Sequence, residues 1–206
     1  EILQQDALVK NIRKNIVKKV IEMLGKMDEE KYEGFFREFG NSIKAGVAMD
    51  YENKDKLSEL IRFKTTKSDG KEICLKKYVE NMKLDQEFIY FITGDNLNAL
   101  KNSPHLEALK EKDFEVLLMT DPVDEWVVQN LFEYNGKKLK SAEKGDLEIE
   151  KKDEKEVESF KPVFDFIKNK LEENIKEVKA SSRLKESVCC LSGEEYGMSK
   201  KKKKIM

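Results

Sequence analysis

The sequence lacks long apolar runs and has few cysteines and a single histidine, and each shortage excludes a class of protein. No stretch approaches the roughly 18 apolar residues that a membrane span needs, and no signal-peptide pattern opens the chain. The 3 cysteines are an odd number and two of them are adjacent, which favours a reduced, cytoplasmic setting over a disulfide framework. One histidine with scattered cysteines does not match the ligand spacing of zinc sites, so no metal site is predicted.

The charge balance gives no electrostatic reason to expect nucleic acid or a membrane as a partner. The 40 basic residues nearly cancel the 41 acidic ones, so the average surface attracts neither polyanion. Charged residues make up 39% of the chain and hydrophobic residues another 39%. A core can therefore form beneath a highly charged surface, and 206 residues fit one or two domains.

Both ends of the sequence have the features of internal segments. The chain begins with EILQQDALVK, without an initiator methionine and already in helical register. It ends with SKKKKKIM, shortly after a strand-like stretch. We therefore expect the sequence to be a piece of a larger protein, so that part of any active site lies outside it.

Residues 1–62 have the apolar periodicity of a helical bundle. The first helix, over residues 1–25, carries a stripe of side chains that recur every four positions: Leu8, Ile12, Ile16, Val20 and Leu24. A second helix carries the stripe Tyr32, Phe35, Phe36, Phe39, Ile43 and Val47. Gly40 predicts a break in this second helix, because glycine costs about 1 kcal/mol relative to alanine. A third, shorter helix is marked by Leu57, Leu60 and Ile61.

Residues 63–142 have the pattern of a small α/β unit. After a polar stretch and a short helix near 74–82, the apolar runs 88–92 and 114–119 are typical of strands that are buried on both faces. The segment between the two runs is long enough for a crossover helix, so the strands are predicted to be parallel. Asn135-Gly136 between short alternating segments predicts a β-hairpin.

The remainder divides into a linker and the start of a further domain. Residues 143–158 hold many charges and few apolar side chains, which is typical of a solvated linker. Residues 159–206 begin with a long amphipathic helix whose stripe ends at Val178, and a strand is predicted at 182–192. The predicted fold class is α/β with α+β character: a helical bundle, a small three-layer α/β unit, and the truncated start of a C-terminal α/β domain.

Polar residues follow the two predicted parallel strands, at 93–96 and 120–124, where small α/β units often bind ligands. Neither segment matches a dinucleotide fingerprint or a P-loop. Asp121 and Asp124 could form an acid pair, but an N-cap at Asp121 and a charge in the first helical turn explain both structurally. His105 implies no Ser-His-Asp or Cys-His arrangement by itself. No self-contained catalytic apparatus emerges from the residues.

Three other features each leave two interpretations open. Cys189 and Cys190 are either small hydrophobes or candidate redox thiols. The run Lys200–Lys204 is either a solvated tail or a functional basic segment, which would contact phosphates or act as a nuclear signal. Trp126, the only tryptophan, is either a core residue or an exposed protein-binding spot rimmed by polar groups.

Four stretches occur in a specific order along nearly the whole chain: EILQQ, FIYFITGDN, NSPHLEALKEKDFEVLLMTDPVDEWVVQNLFEYNGKKL, and SRLKESVCCL with EYG. In this order they resemble the heat-shock protein 90 family of ATP-dependent chaperones. The stretch CCL with EYG is similar to the cytosolic eukaryotic branch of that family. The chain departs from the family pattern near its end, at Val188, Met198 and the KKKKKIM terminus.

The resemblance implies an ATP-binding N-terminal domain, a middle domain and a C-terminal dimerisation domain. This chain would span the back half of the middle domain and the start of the C-terminal one. In the family, a loop S-R-E-x-L-Q-Q reaches the γ-phosphate of ATP; Glu1–Gln5 match its second part, and Gln4 takes the position of a catalytic glutamine that orients γ-phosphate or water. ATP with Mg is the implied cofactor of the full-length protein. We expect the fragment alone to bind no cofactor and to be inactive.

The resemblance also implies binding partners. In bacterial relatives, the acidic-Trp pair and the polar residue one turn later contact client proteins, and the matching positions are Glu125, Trp126 and Gln129. The implied protein is a cytoplasmic, homodimeric chaperone of the stress response. It would bind client proteins and co-chaperones, and neither nucleic acid nor a membrane.

Two other classes of function fit the residues. A non-enzymatic scaffold would use the amphipathic helices at 1–25 and 157–179 to bind partners. A small nucleotide-binding enzyme would use the strand ends at 93–96 and 120–124. The enzyme requires the chain itself to bind nucleotide, whereas the scaffold does not.

Overall fold

A computed structural model of the chain describes residues 7–145, 147, 154–171 and 174–193. The contacts divide the chain into two compact units, one of Glu1–Leu100 with Glu115–Lys140 and one of Lys101–Phe114 with Ser141–Met206. Within the described ranges, no helix is long and apolar enough to cross a membrane. Gln4 and the Lys200–Lys204 run lie outside the described residues.

The first unit begins with the helices α1 Ala7–Gly25, α2 Glu29–Met49 and α3 Lys54–Ser58. The predicted end of α1 at Gly25 is confirmed. Asp28 caps α2, because its carboxylate accepts the Glu30 N–H at 3.1 Å. The helical character predicted for this part of the chain is therefore present.

Helix α2 runs without interruption through Gly40, so the predicted break is wrong. A Cβ added at Gly40 would lie 2.9 Å from Cε1 of Phe36, whose buried ring covers this position. A Cβ at Gly46 would likewise lie 3.0 Å from Cδ1 of Leu57. Close packing at these two glycines offsets the propensity cost on which the prediction relied.

The apolar stripe of α1 is buried only near its C-terminal end. Leu24 is buried together with Ile21, and Val17 is half-buried. The other members of the predicted stripe, Leu8, Ile12, Ile16 and Val20, are exposed among the described residues. The compact bundle packing expected for the whole stripe is therefore found only in its last turns.

The first unit contains a mixed sheet with the strand order β2-β1-β4-β3-β6-β5. Its strands are β1 Arg62–Thr65, β2 Glu72–Cys74, β3 Ile89–Thr93, β4 Val116–Met119, β5 Glu133–Tyr134 and β6 Lys137–Ser141. The predicted parallel pairing of β3 with β4 is confirmed, with Phe91 opposite Leu117. β1 is antiparallel to both β2 and β4. The predicted α/β fold class is confirmed.

Two hairpins belong to this sheet. Asn135 (φ 48°) and Gly136 (φ 73°) form the predicted two-residue turn between β5 and β6. The hairpin of β1 and β2 does not follow from the apolar pattern, because its turn lies within a polar stretch. Asp69 (φ 49°) and Gly70 (φ 82°) lie in that turn, so an Asp-Gly signal was present in the sequence.

The core of the first unit lies between its helices and one face of the sheet. Helix α4, Leu75–Asn81, contributes Leu75 and Tyr78 to it. Alternate strand residues also enter this core: Ile89, Phe91, Leu117 and Met119. Their neighbours in β3 and β4 are buried too, namely Tyr90, Ile92, Val116 and Leu118. Both strands are thus covered on two faces, as their continuous apolar runs predicted.

The remaining helices are α5 Leu97–Lys101, α6 Glu107–Glu111, α7 Asp124–Asn130, α8 Glu154–Ser159 and α9 Lys161–Lys170, with a 3-10 turn at Pro104–Leu106. Asn96 caps α5, because its side-chain oxygen accepts the N–H of Asn98 at 2.8 Å. Helix α9 ends at Lys170, and residues 174–178 are not helical. The helix predicted to continue to Val178 is therefore shorter than expected.

The strand predicted at 182–192 is absent from the described residues, where this segment is irregular. The Glu107 carboxylate of α6 accepts the backbone N–H groups of Lys185, Glu186 and Ser187 at 2.7, 2.9 and 3.1 Å. The hydrogen bonds from the Ser187 hydroxyl and from these backbone groups lower the pKa of Glu107 to about 2. Three backbone N–H groups that a strand would offer to a neighbouring strand are therefore bound by the Glu107 side chain.

Part of the predicted linker is held within the second unit. The buried guanidinium of Arg183 donates to the carbonyl oxygens of Lys144, at 3.0 Å, and of Gly145. Leu147, two residues after Gly145, is also buried. These contacts differ from the fully solvated linker expected at 143–158, most of which lies outside the described residues. The domain boundaries at residues 62, 142 and 158 stay a prediction.

Candidate functional site

The helix α7 follows β4 through the turn Thr120–Val123. Asp124 Oδ2 accepts the backbone N–H of Asp121 at 2.9 Å, which closes the turn. The helix begins at Asp124, and Val123 at the N-cap position offers no side-chain hydrogen bond. The predicted N-cap at Asp121 is therefore wrong, whereas the acidic first turn of Asp124 and Glu125 is confirmed.

Lys44 of α2 binds both aspartates. Its Nζ lies 2.8 Å from Asp121 Oδ2 and 2.8 Å from Asp124 Oδ1. The same ammonium lies 4.7 Å from the centroid of the Phe63 ring. The side chain of Lys44 is 4% exposed and that of Asp124 is 2% exposed. Because 77 residues separate Lys44 from Asp121, no local sequence pattern indicated this partner.

The charge of Lys44 is maintained by its two partners. Burial alone would lower the pKa of Lys44, but attraction to Asp124 and the hydrogen bond to Asp121 outweigh burial and raise that pKa. A buried charge of this kind is strongly destabilising when its partner is removed. The ion triad of Lys44, Asp121 and Asp124 therefore ties the first turn of α7 to α2.

The predicted client-contact residues lie together on α7 but on different faces. Trp126 is 51% exposed, which excludes the interpretation of Trp126 as a core residue. Gln129 is exposed one turn further along. Glu125 is buried, and its Oε1 has no hydrogen-bond partner among the described residues. The exposed Trp126 and Gln129, together with the half-buried Asn130, are called here the α7 face.

Sequence reasoning missed two residues that adjoin the α7 face. The Asn130 side chain donates to the Trp126 carbonyl at 2.8 Å, and the Asn130 carbonyl accepts a hydrogen bond from Lys54 Nζ. The same ammonium lies 5.8 Å from the centroid of the Phe132 ring, which is 69% exposed. The position of Phe132 shortly after α7 could have indicated that it adjoins this surface. Lys54 is distant from α7 in sequence, so no local pattern indicated its contact with Asn130.

The strand ends proposed for a nucleotide-binding enzyme have structural partners instead. Asn96 caps α5, and both Asp121 and Asp124 bind Lys44. A Cβ at Gly94 would lie 2.7 Å from Cδ2 of Leu100, so this glycine serves close packing of α5. Within the described part of the chain, no group of three or more His, Cys, Asp or Glu residues is arranged to hold a metal ion.

The candidate redox thiols lie in the second unit. Cys189 is exposed and Cys190 is half-buried, and neither forms a disulfide. Their reactivity stays a prediction, as does the catalytic position of Gln4, which lies outside the described residues.

Comparison with known proteins connects this arrangement to a family. A family model described as "Hsp90 protein" matches residues 1–206. The chaperone protein HtpG of Geobacter metallireducens is 47% identical, and that of Geobacter sulfurreducens is 45% identical. Each match covers 100% of this chain but 34% of the relative. The chain thus spans about a third of the length of these curated relatives.

A solved structure is similar over much of the chain. The middle domain of a Plasmodium falciparum heat shock protein matches with a TM-score of 0.63 and 34% sequence identity. The match covers 67% of this chain and 58% of that one. This agreement extends the similarity from sequence to fold.

Proposed function

The chain belongs to the heat-shock protein 90 family, and on this premise we propose that it is the client-binding part of an ATP-dependent molecular chaperone. The observation that carries the proposal is the half-exposed Trp126 beside exposed Gln129, on a helix fixed to α2 by the buried Lys44 and its aspartate partners. A rigid aromatic side chain with adaptable polar neighbours suits weak binding of many unfolded segments. Relatives that bear the name chaperone protein support this function.

The nucleotide-dependent part of the proposal rests on the resemblance. ATP with Mg would bind in another domain of the full-length protein, and Gln4 would help to orient the γ-phosphate or water. Dimerisation, co-chaperone binding, a role in the stress response and a cytoplasmic location are proposed on the same ground. The buried Glu125 would act mainly by shaping the start of α7, because its side chain is not on the α7 face.

The branch of the family is assigned no further. The stretches CCL and EYG suggested the cytosolic eukaryotic branch, whereas the reported HtpG relatives are bacterial proteins. These relatives give no support for the eukaryotic branch, and the assignment therefore stays at the level of the family.

A second candidate function keeps one supporting observation. The stripe Leu8, Ile12, Ile16 and Val20 is exposed on α1, as a scaffold that binds partners through this helix would require. Binding at α1 and binding at the α7 face involve different helices of the first unit. They can therefore be separated by substitutions on each.

The proposed function is tested by the substitution Trp126→Ala in an aggregation assay. We expect the variant to need about five times more chaperone to suppress aggregation of an unfolding protein, since an exposed aromatic anchor contributes on the order of 1 kcal/mol or more. The midpoint of thermal unfolding should change little, because the side chain is half-exposed. Light scattering and circular dichroism measure the two quantities.

Leu84→Ala is the matched control, because Leu84 is a fully exposed apolar residue outside α7. Suppression by the Leu84 variant should equal that of the unmodified chain. If the Trp126 variant suppresses aggregation as well as the unmodified chain does, the proposed client surface is refuted. A large loss of thermal stability in the Trp126 variant would instead assign Trp126 a packing role.

A further inference from the structure

The exposed surface around Trp126 continues beyond α7 to a second aromatic ring. Asn130 links the two rings, because it donates to the Trp126 carbonyl and accepts from Lys54, whose ammonium lies against Phe132. Trp126 and Phe132 are 51% and 69% exposed. This contact chain runs from the Trp126 backbone through Asn130 and Lys54 to the Phe132 ring.

Lys54 has capacity to bind another group. An ammonium has three N–H donors, and the Asn130 carbonyl accepts one of them. The Phe132 ring attracts the charge through its π-face without using a conventional acceptor. Lys54 is half-buried, so an ion pair formed there is screened less than a fully exposed pair.

The two carboxylates of α7 itself are withdrawn from the surface. Asp124 and Glu125 of α7 are buried, and Asp124 binds Lys44. Glu133, which follows Phe132, is exposed and lies opposite Lys138 in the β5–β6 register. Lys54 therefore presents a positive charge beside the Phe132 ring that the acidic residues of α7 do not offset, although the net charge of the chain is close to neutral.

We propose that Lys54 and Phe132 extend the client surface and select polypeptide segments in which acidic residues alternate with apolar ones. The inference rests on the proposed function of the α7 face and specifies the class of client segment that it prefers. Trp126 and Phe132 would contact apolar side chains, while Lys54 would bind an acidic side chain between them. The complementarity of charge commits the surface to an acidic segment rather than to a basic one.

The sole tryptophan provides a site-specific signal, because Trp126 is the only source of indole fluorescence. The probes are two tryptophan-free peptides, one in which leucine alternates with aspartate and one in which lysine replaces the aspartates. We expect the aspartate peptide to bind about threefold more tightly than the lysine peptide. This difference in affinity is what one partly exposed ion pair between Lys54 and an aspartate would contribute. Titration of Trp126 emission measures both dissociation constants.

Two substitutions test the residues themselves. Lys54→Glu should reverse the order of the two peptides, and Lys54→Met, which keeps the length of the side chain, should abolish the difference. Phe132→Ala should weaken both peptides by about fivefold, since it removes an exposed aromatic contact. Leu84→Ala is the control and should leave both constants unchanged. Circular dichroism verifies that each variant is folded.

The inference is overturned if both peptides bind the unmodified chain equally, or if the Lys54 variants keep the original order. In that case Trp126→Ala would still impair suppression of aggregation, and the proposed function would stand. If Trp126→Ala has no effect on aggregation and neither peptide changes the emission, the proposed function fails as well. The two failures are therefore distinguishable.

Discussion

Lys44 shows how one buried cation can position a surface that it does not touch. Its ammonium holds Asp121 and Asp124, and Asp124 begins the helix that carries Trp126. Both acids are partners of the lysine in this arrangement. The two acids that seemed candidates for chemistry in the sequence therefore have a mechanical role.

Removal of the cation alone should be costly. Lys44→Met leaves the 2% exposed Asp124 without its partner, so we expect the free energy of unfolding to fall by about 3–5 kcal/mol. Urea unfolding measures this change. The emission of Trp126 in the folded state should also shift, because the start of α7 loses its tie to α2.

A double variant separates the lost ion pair from lost packing. Lys44→Met with Asp124→Leu removes both buried charges, and we expect it to recover most of the stability that the single variant loses. A single variant that loses less than about 1 kcal/mol would show that the triad does not hold α7 in place.

At the scale of single residues, the sequence indicated which residue types lie on α7, but it did not indicate which of them are buried or what they bind. Trp126 and Glu125 are neighbours, and the resemblance assigned both to one contact face. Consecutive residues of a helix point about 100° apart, so one is exposed while the other is buried. The partner of Asp121 and Asp124 could not be predicted, because the pairing crosses from α7 to a residue in α2.

At the scale of elements, glycines in α2 have opposite roles. Gly40 is covered by the Phe36 ring, whereas no atom lies within 4 Å of a Cβ built at Gly34. Gly40→Ala should lower the free energy of unfolding by about 1–3 kcal/mol through overpacking. Gly34→Ala, the matched control in the same helix, should raise it by about 1 kcal/mol through helix propensity.

Thermal and urea unfolding of the two variants measure both changes. Equal stabilisation by the two alanines would mean that the Phe36 ring moves aside without cost. The break predicted at Gly40 would then be absent for a reason other than close packing.

Elements with strong local signals were predicted correctly. The parallel strands follow from two continuous apolar runs, and the β5–β6 hairpin follows from Asn135-Gly136. The segment 182–192 has a strand-like pattern, yet Glu107 binds its backbone from a distant part of the sequence. Long-range contacts of this kind decide between equally plausible local structures, and a single sequence does not reveal them.

At the scale of the whole molecule, the proposed function assigns a binding surface to this chain. It spans about a third of the length of its curated relatives, and the family resemblance assigns ATP binding to a domain outside it. Within the first unit, the buried Lys44 triad and the exposed α7 face are parts of one arrangement. The proposed division of work therefore places nucleotide chemistry elsewhere and client contact here.

The most direct measurement is an NMR titration of the chain with a permanently unfolded protein. The single indole N–H of Trp126 gives one resolvable signal, which we expect to shift together with the side-chain amides of Gln129 and Asn130. Saturable shifts at these groups would support client binding at the α7 face. Shifts confined to α1, with the Trp126 indole unchanged, would contradict it and favour the scaffold function.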